Sequence, residues 1–355
     1  MSKVVDGIIK DWGDRVGYGK VKRGKKQRNI RGGKLDFGKA PPMVKRSEPR
    51  TRLKLTMQKA PEVMVKISGG GKSMRHIKAH MDYISRNGTV EIEDENGNLH
   101  LGKEDVRDVR DSWAHGKARI PAEEGTRREA FNIVLSMPPG TSRQAVKDAA
   151  RAFAAERFGN HQYVFAAHDD EKHPHVHLAV KAVDKNGVRL NPRKADLQQW
   201  REHFAETLRE QGVAANATPR RARGQVRKAE KQELIQMQRR GVEPAVKAAQ
   251  KAAVVAEVRG EKPVLNPAQQ RIEAARKETV QAYGQVAKAL AAGDAEDRAL
   301  AVEVVQFVQA MPPLKTAHQL AVEAVRARIA GKGGQERGTE GRERSGEDQD
   351  QGRKR

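Results

Sequence analysis

HDDEKHPHVHLAVKAV, residues 168–183, holds four of the chain's 11 histidines in its first ten positions. Its second half alternates. In an extended strand Val176, Leu178 and Val180 fall on one side, and His175 and His177 on the other. The apolar side needs a core to pack on, which leaves the histidine side for chemistry. Just upstream, QYVFAAH (162–168) reads as another strand, closed by His168. The DDEKHP connection is short enough to fold His168 back beside His175 and His177. Three imidazoles then converge on one divalent ion and leave coordination positions open. His173, in the loop beside a proline, stays outside this set. Asp170 is placed to orient a ligand imidazole through its second ring nitrogen.

The neighbouring segments supply the rest of a fold. EVMVKIS alternates Val63, Val65 and Ile67, a half-buried strand. The glycines at 69–71 permit a sharp turn into a helix capped by Ser73, with Met74, Ile77, Met81 and Ile84 at helical spacing. Residues 88–128 are charged, with a turn at 95–98 and a short helix over 103–115. AFNIVLSM (130–137) reads as a buried strand. Thr141 or Ser142 then caps a helix whose apolar face is Val146, Ala149, Ala150 and Phe153, ending at Gly159. DKNG (184–187) reads as a hairpin turn. Asp196 opens a last helix, with Leu197, Trp200, Phe204 and Leu208 inward and Gly212 at its end. The expected fold is α+β: a central antiparallel sheet with flanking helices and the metal site on the sheet's open face.

The 355 residues carry a formal net charge of +23, which points to a polyanionic partner, nucleic acid first. Cysteine is absent, which excludes disulfides, thiolate metal sites and thiol catalysis. No long apolar run or signal-like start is present, so a cytoplasmic protein without membrane insertion is expected. Residues 1–60, with 18 Lys/Arg against 5 Asp/Glu, read as a largely extended basic arm, and 61–215 as the ordered α+β domain that holds the histidines. Residues 216–330 read as a basic helical region, and 331–355 as a disordered charged tail. SGGGKS resembles a phosphate-binding loop, but the glycine that pattern requires is Lys66, so nucleotide hydrolysis is excluded. Lys72 in that turn is still placed to touch a DNA phosphate. Aromatic residues make up 4% of the chain, too few for an extended base-stacking platform.

An open metal in a basic protein suits phosphodiester chemistry. The nucleophile is then water or a side chain. Of four tyrosines, Tyr83 shares a helical stripe with His76, His80 and Asn87, beside the apolar stripe, which leaves its hydroxyl accessible. Spacing alone leaves both nucleophiles open.

HMDYISRNG (80–88), LSMPPG (135–140) and HDDEKHPHVHLAV together resemble the ordered motifs of plasmid mobilisation relaxases, over about residues 62–215. These belong to the His-hydrophobic-His (HUH) endonucleases, and this chain most resembles their P-type mobilisation branch. The resemblance implies Tyr83 as nucleophile and His168, His175 and His177 as ligands of Mg²⁺ or Mn²⁺. It implies Asp170 as the acidic position that assists either a histidine or the deprotonation of the tyrosine, and Ser136 as a DNA contact near the nick; Lys72, from its glycine turn, and Arg86 are expected as further DNA contacts. The implied activity is strand-specific nicking at an origin of transfer, through a 5′-phosphotyrosyl intermediate. Implied partners are origin-of-transfer DNA, accessory mobilisation proteins and the coupling protein of a type IV secretion system, with the protein carried into the recipient cell on its strand. Rolling-circle replication initiators place the tyrosine after the histidines, whereas here it precedes them. Tyr18, in a glycine-rich arm, offers no rigid platform. A hydrolytic nuclease or replication initiator of the same superfamily, and a DNA-binding accessory protein with a structural ion, are the alternatives.

Overall fold

The two histidine-bearing strands lie in the middle of a six-stranded sheet. A computed structural model describes residues 3–12, 49–116, 119–225, 230–261, 267 and 269–344. The strands are β1 (Met64–Gly69), β2 (Ile92–Asp94), β3 (Leu99–His100), β4 (Ala130–Ser136), β5 (Tyr163–His168) and β6 (His175–Lys181). Their order is β1-β4-β6-β5-β2-β3, and every neighbouring pair is antiparallel. The helices that precede or flank them are α1 (Lys3–Trp12), α2 (Pro49–Met57), α3 (Met74–Ile84), α4 (Lys103–His115), α5 (Arg143–Phe158) and α6 (Lys194–Glu210). Five more follow: α7 (Gln232–Arg239), α8 (Ala245–Val258), α9 (Gln269–Ala291), α10 (Ala295–Gln309) and α11 (Ala317–Arg344).

Strand alternation sorts the sheet into two apolar faces. Phe131, Ile133 and Leu135 of β4, with Val176, Leu178 and Val180 of β6, pack against Phe153, Phe158, Trp200 and Phe204 of α5 and α6. Aromatic edges meet here, Phe158 with Trp200 at 5.2 Å and Phe153 with Phe204 at 6.0 Å between centroids. Deleting one such side chain costs about 3–5 kcal/mol. The opposite face carries Ala130, Val164, Ala166 and Ala179, covered by Ile77, Met81 and Ile84 of α3 and by Val106, Val109 and Trp113 of α4. This corrects one expectation. The histidine side of the sheet is not open along its length, because small sheet residues let α3 and α4 lie on it. Only the end that bears the histidines is left for chemistry.

The glycine turn between β1 and α3 is sterically required. A Cβ on Gly70 would lie 2.5 Å from the Ala130 carbonyl oxygen, and one on Gly71 would lie 2.4 Å from Ile77 Cγ1. Ser142 caps α5, its hydroxyl accepting from Ala145 N–H. Ser73 stands at the N-cap of α3 without a side-chain capping bond. α6 begins two residues before Asp196, whose carboxylate accepts from Arg193 N–H and closes the first turn. The turn at 95–98 joins two short strands, β2 and β3, that periodicity did not reveal; Asp94 Oδ1 accepts from the N–H groups of Asn96 and Asn98.

Two compact units divide the chain: residues 1–219 with 282–307, and 220–281 with 308–355. In the first, α1 and α2 stand where an extended arm was expected; residues 13–48, including Tyr18, lie outside the described residues. Trp12 packs on Tyr283 at 5.1 Å, Tyr283 on Phe307 at 5.6 Å, and Arg50 pairs with Asp6 and the buried Asp297. Residues 282–307 thus join the first unit, and the 216–330 region is not one body. In the second unit α8 packs on α11, and His318 pairs with Glu257 at 2.7 Å. Of the expected tail, residues 331–344 continue α11, and 345–355 lie outside the described residues.

Candidate active site

Register builds the site. His168 of β5 is paired with His175 of β6, and His175 is paired on its other side with Ser136 of β4. The next row on the same face is Ala166, His177 and Val134. Side chains at alternate positions share a face, so His168, His175, His177 and Ser136 all project toward the α3 side. The ligand nitrogens of the three histidines lie within 4.8 Å of one another.

The ring nitrogens are already sorted by their partners. His168 Nε2–H donates to the Ile84 carbonyl at 2.7 Å, which makes Nδ1 the acceptor nitrogen, occupied in this structure by Arg86 Nη2 at 3.3 Å and freed for a metal only when that arginine shifts. His175 Nδ1–H donates to the His173 carbonyl at 3.0 Å, which leaves Nε2. His177 Nδ1 is buried without a hydrogen-bond partner among the described residues. Backbone carbonyls therefore do the orienting expected of Asp170. Burial, reinforced by His168 and His175, pushes His177 down to about 3. Burial also lowers His168. Imidazoles held neutral are the form a metal ion binds. The donor set, its spacing and the orphaned nitrogen of His177 fit a divalent transition or hard metal ion, held by His168, His175 and His177.

α3 brings the tyrosine to this cluster. The Tyr83 ring meets His177 edge-on at 5.4 Å and His168 at 6.1 Å between centroids, and it is half exposed. One turn earlier, His80 stacks on Tyr83 at 6.1 Å and faces His177 at 6.5 Å. Its Nε2 is buried and unpartnered, and burial followed by the charge of His168 pushes it down to about 4. His80 was visible in the helical stripe of Tyr83, but nothing in that stripe ties it to the histidines.

After α3 the chain takes three left-handed residues in a row: Arg86 (φ 50), Asn87 (φ 58) and Gly88 (φ 88). Asparagine and glycine accept this conformation readily, whereas for arginine it costs on the order of 1 kcal/mol. The strained turn swings the Arg86 guanidinium back over the Tyr83 ring, 4.9 Å from its centroid. From there Nη2 donates to His168 Nδ1 at 3.3 Å and pairs with Asp170. Asp170 therefore anchors Arg86 and does not touch an imidazole. Burial works against its charge, but Arg86 and then His168 outweigh it and hold the carboxyl below its usual range.

A second arginine, with no signal in the motifs, fastens the loop after β5. Arg143, at the start of α5, donates to the His168 carbonyl at 3.1 Å, to Asp169 at 3.1 Å and to the Glu171 carbonyl at 2.6 Å. Ser136 is buried in the His175 row. Lys72 stands apart from the cluster's bonding network, exposed and 3.6 Å from Glu124.

Comparison with known proteins agrees with this geometry. Residues 83–213 match the family described as relaxase, MobA/VirD2-like, nuclease domain. T-DNA border endonuclease VirD2 of Rhizobium rhizogenes is 29% identical over 182 residues, covering 46% of this chain and 42% of that protein. VirD2 of Agrobacterium fabrum is likewise 29% identical over 182 residues, covering 46% and 41%. These matches, the first over residues 83–213, support a relaxase nuclease domain of the His-hydrophobic-His type. It matches less than half the length of these curated relatives.

Proposed function

We propose that this protein is a site- and strand-specific DNA relaxase that nicks a plasmid origin of transfer through Tyr83. The observation that carries the reading is the half-exposed Tyr83 ring standing 5.4 Å from His177, at the mouth of a three-imidazole cluster. In the proposed step the Tyr83 hydroxyl releases its proton and its oxygen attacks the scissile phosphorus. The new bond joins that oxygen to phosphorus. The bond from phosphorus to the 3′ oxygen breaks, and that oxygen takes up a proton. The products are a 5′-phosphotyrosyl strand and a free 3′-hydroxyl, and the reverse step rejoins the strand.

A bound Mg²⁺ or Mn²⁺ would supply Lewis acidity to the phosphate oxygens. The chain's own groups do the rest. Arg86 lies over the ring, with its charge placed for the negative charge that grows on the phosphoryl oxygens. Asp170 holds Arg86 there. His80 backs the ring from the helix and, being neutral, adds no competing charge. Ser136, in the His175 row, and Lys72 are the proposed further DNA contacts. The basic segments outside residues 61–215 would hold phosphates without reading sequence.

The named activity of the VirD2 relatives, cutting at a T-DNA border, supports origin-of-transfer DNA as substrate. Accessory mobilisation proteins and a type IV coupling protein are the partners such a protein–DNA adduct requires. No helix among the described residues is long and apolar enough to cross a membrane. We place the protein in the bacterial cytoplasm, leaving with its strand. The test is nicking of supercoiled plasmid carrying the cognate origin, with Mg²⁺ or Mn²⁺. The native chain is expected to leave a detergent-resistant adduct on a 5′ end, and Tyr83→Phe to leave none. Nicking by Tyr83→Phe without an adduct would make water the nucleophile.

A further inference from the structure

α3 has a third face that neither the core nor the tyrosine site uses. At about 100° per residue, Met74, Ile77, Met81 and Ile84 form the core stripe, and His76, His80 and Tyr83 the site stripe. Arg75, Lys78 and Asp82 form another, roughly 110° from the core stripe and 130° from the site stripe. This face and α4 line an open groove of about 380 Å³, with Arg75, Lys78, Arg107 and Arg110 as its cations and Met74 and Ala122 as its apolar lining. Arg110 pairs with Asp82, the residue before Tyr83. Arg75, Lys78 and Arg107 are exposed and make no ion pair among the described residues. One carboxylate, Asp111, also lines the groove. Three exposed cations without an ion pair among the described residues give this helix pair a locally positive potential, which attracts an anion.

Between the groove stripe and the site stripe the crest of α3 is the exposed Ala79. A small residue there lets a chain of phosphates pass from one face to the other. Lys78 and Tyr83 are five residues apart, about 7.5 Å along the axis. With the turn around the helix the path is on the order of 15 Å, a few nucleotides.

We propose that the α3–α4 groove is a second phosphate-binding site, which grips the DNA backbone a few nucleotides from the bond Tyr83 attacks, with the strand crossing α3 over Ala79. This rests on the relaxase reading for its ligand, and it is testable without chemistry. The full chain, in EDTA, is titrated into a short fluorescein-labelled single strand of mixed sequence, and anisotropy is followed across a salt series. Each phosphate contact to a single strand contributes about 0.7 to the slope of log K against log salt. The combined variant Arg75→Ala, Lys78→Ala, Arg107→Ala is expected to lower that slope by about 2. Between 50 and 200 mM salt the native chain then loses roughly 20-fold more affinity than the variant. A control lacking three other exposed cations, Lys185→Ala, Arg193→Ala, Lys194→Ala, is expected to keep the native slope. Ala79→Glu is expected to weaken binding while circular dichroism stays native.

Equal slopes for the groove variant and the native chain overturn the proposal, as does an equal drop in the control. Unchanged slopes with inorganic pyrophosphate binding to the native chain alone would make the groove a site for free phosphate, which also overturns it. The two readings fail separately. Nicking by Tyr83→Phe removes the relaxase mechanism and leaves the slope result standing. An unchanged slope in a groove variant whose parent nicks normally removes only the groove.

Discussion

Acid should loosen this protein through histidines that the fold holds neutral. His80 is pushed down to about 4 and His177 to about 3, and burial also lowers His161, His168 and His203. In the unfolded chain each returns to about 6.5. Their neutral burial therefore stabilises the fold fully above that value, and the contribution is lost as pH falls toward the folded values. At pH 5.5 an unfolded histidine has gained its proton and a folded His80 or His177 has not. The difference is roughly 1.4 kcal/mol for each, or about 3 kcal/mol for the pair, relative to pH 7.5. The other three add to that loss. All three tryptophans, Trp12, Trp113 and Trp200, belong to the first unit, so tryptophan fluorescence reports its unfolding. In EDTA, urea unfolding at pH 5.5 should show at least this loss, and the melting temperature should fall by roughly 6–12 °C. His80→Gln should recover about 1.4 kcal/mol of its own pH-dependent loss. Stability that stays flat between pH 7.5 and 5.5 would refute the neutral burial of these rings.

Arg143→Ala frees the loop from His168 to Glu171, and Mn²⁺ affinity measured by calorimetry should fall by about 10–100-fold, with Arg143→Lys intermediate; an unchanged affinity would show that β5 and β6 alone set the ligands. EDTA should abolish nicking and leave the far-ultraviolet circular dichroism intact, whereas a collapse of the spectrum would assign the histidines to a structural ion. Gly70→Ala brings a Cβ to 2.5 Å from the Ala130 carbonyl oxygen, and thermal melting should show a loss of about 1–3 kcal/mol.

Much of the central architecture was legible in the sequence because its signals are local. The alternation in 175–180 made β6, and register then carried His168 to His175. The stripe of Ile77, Met81 and Ile84 made α3, and the apolar face of 146–153 made α5. Other parts had no local signal. β2 and β3 are three and two residues long and largely charged, and they exist because Glu93 pairs with Phe165 of β5 and salt-bridges Arg151. α2 has almost no amphipathic pattern. It is held by Leu53 and by Thr56, which bonds Thr218 at 2.7 Å across 162 residues of sequence. The three histidines and Tyr83 could be named from their motifs. The roles of Arg143, His80 and the Arg86–Asp170 pair could not, because each depends on where a side chain lands after distant elements have packed.

The row Ser136–His175–His168 crosses three strands, and each member is correct only in one alignment. Because side chains alternate with a period of two, a slip of β6 by one residue would turn both of its histidines into the apolar layer under α5 and α6. It would also scatter the ligand nitrogens. A chain mispaired in this way could not assemble the ion site. The alignment of the sheet and the gathering of the histidines are thus one event: only molecules zipped in the right frame bring the three imidazoles together.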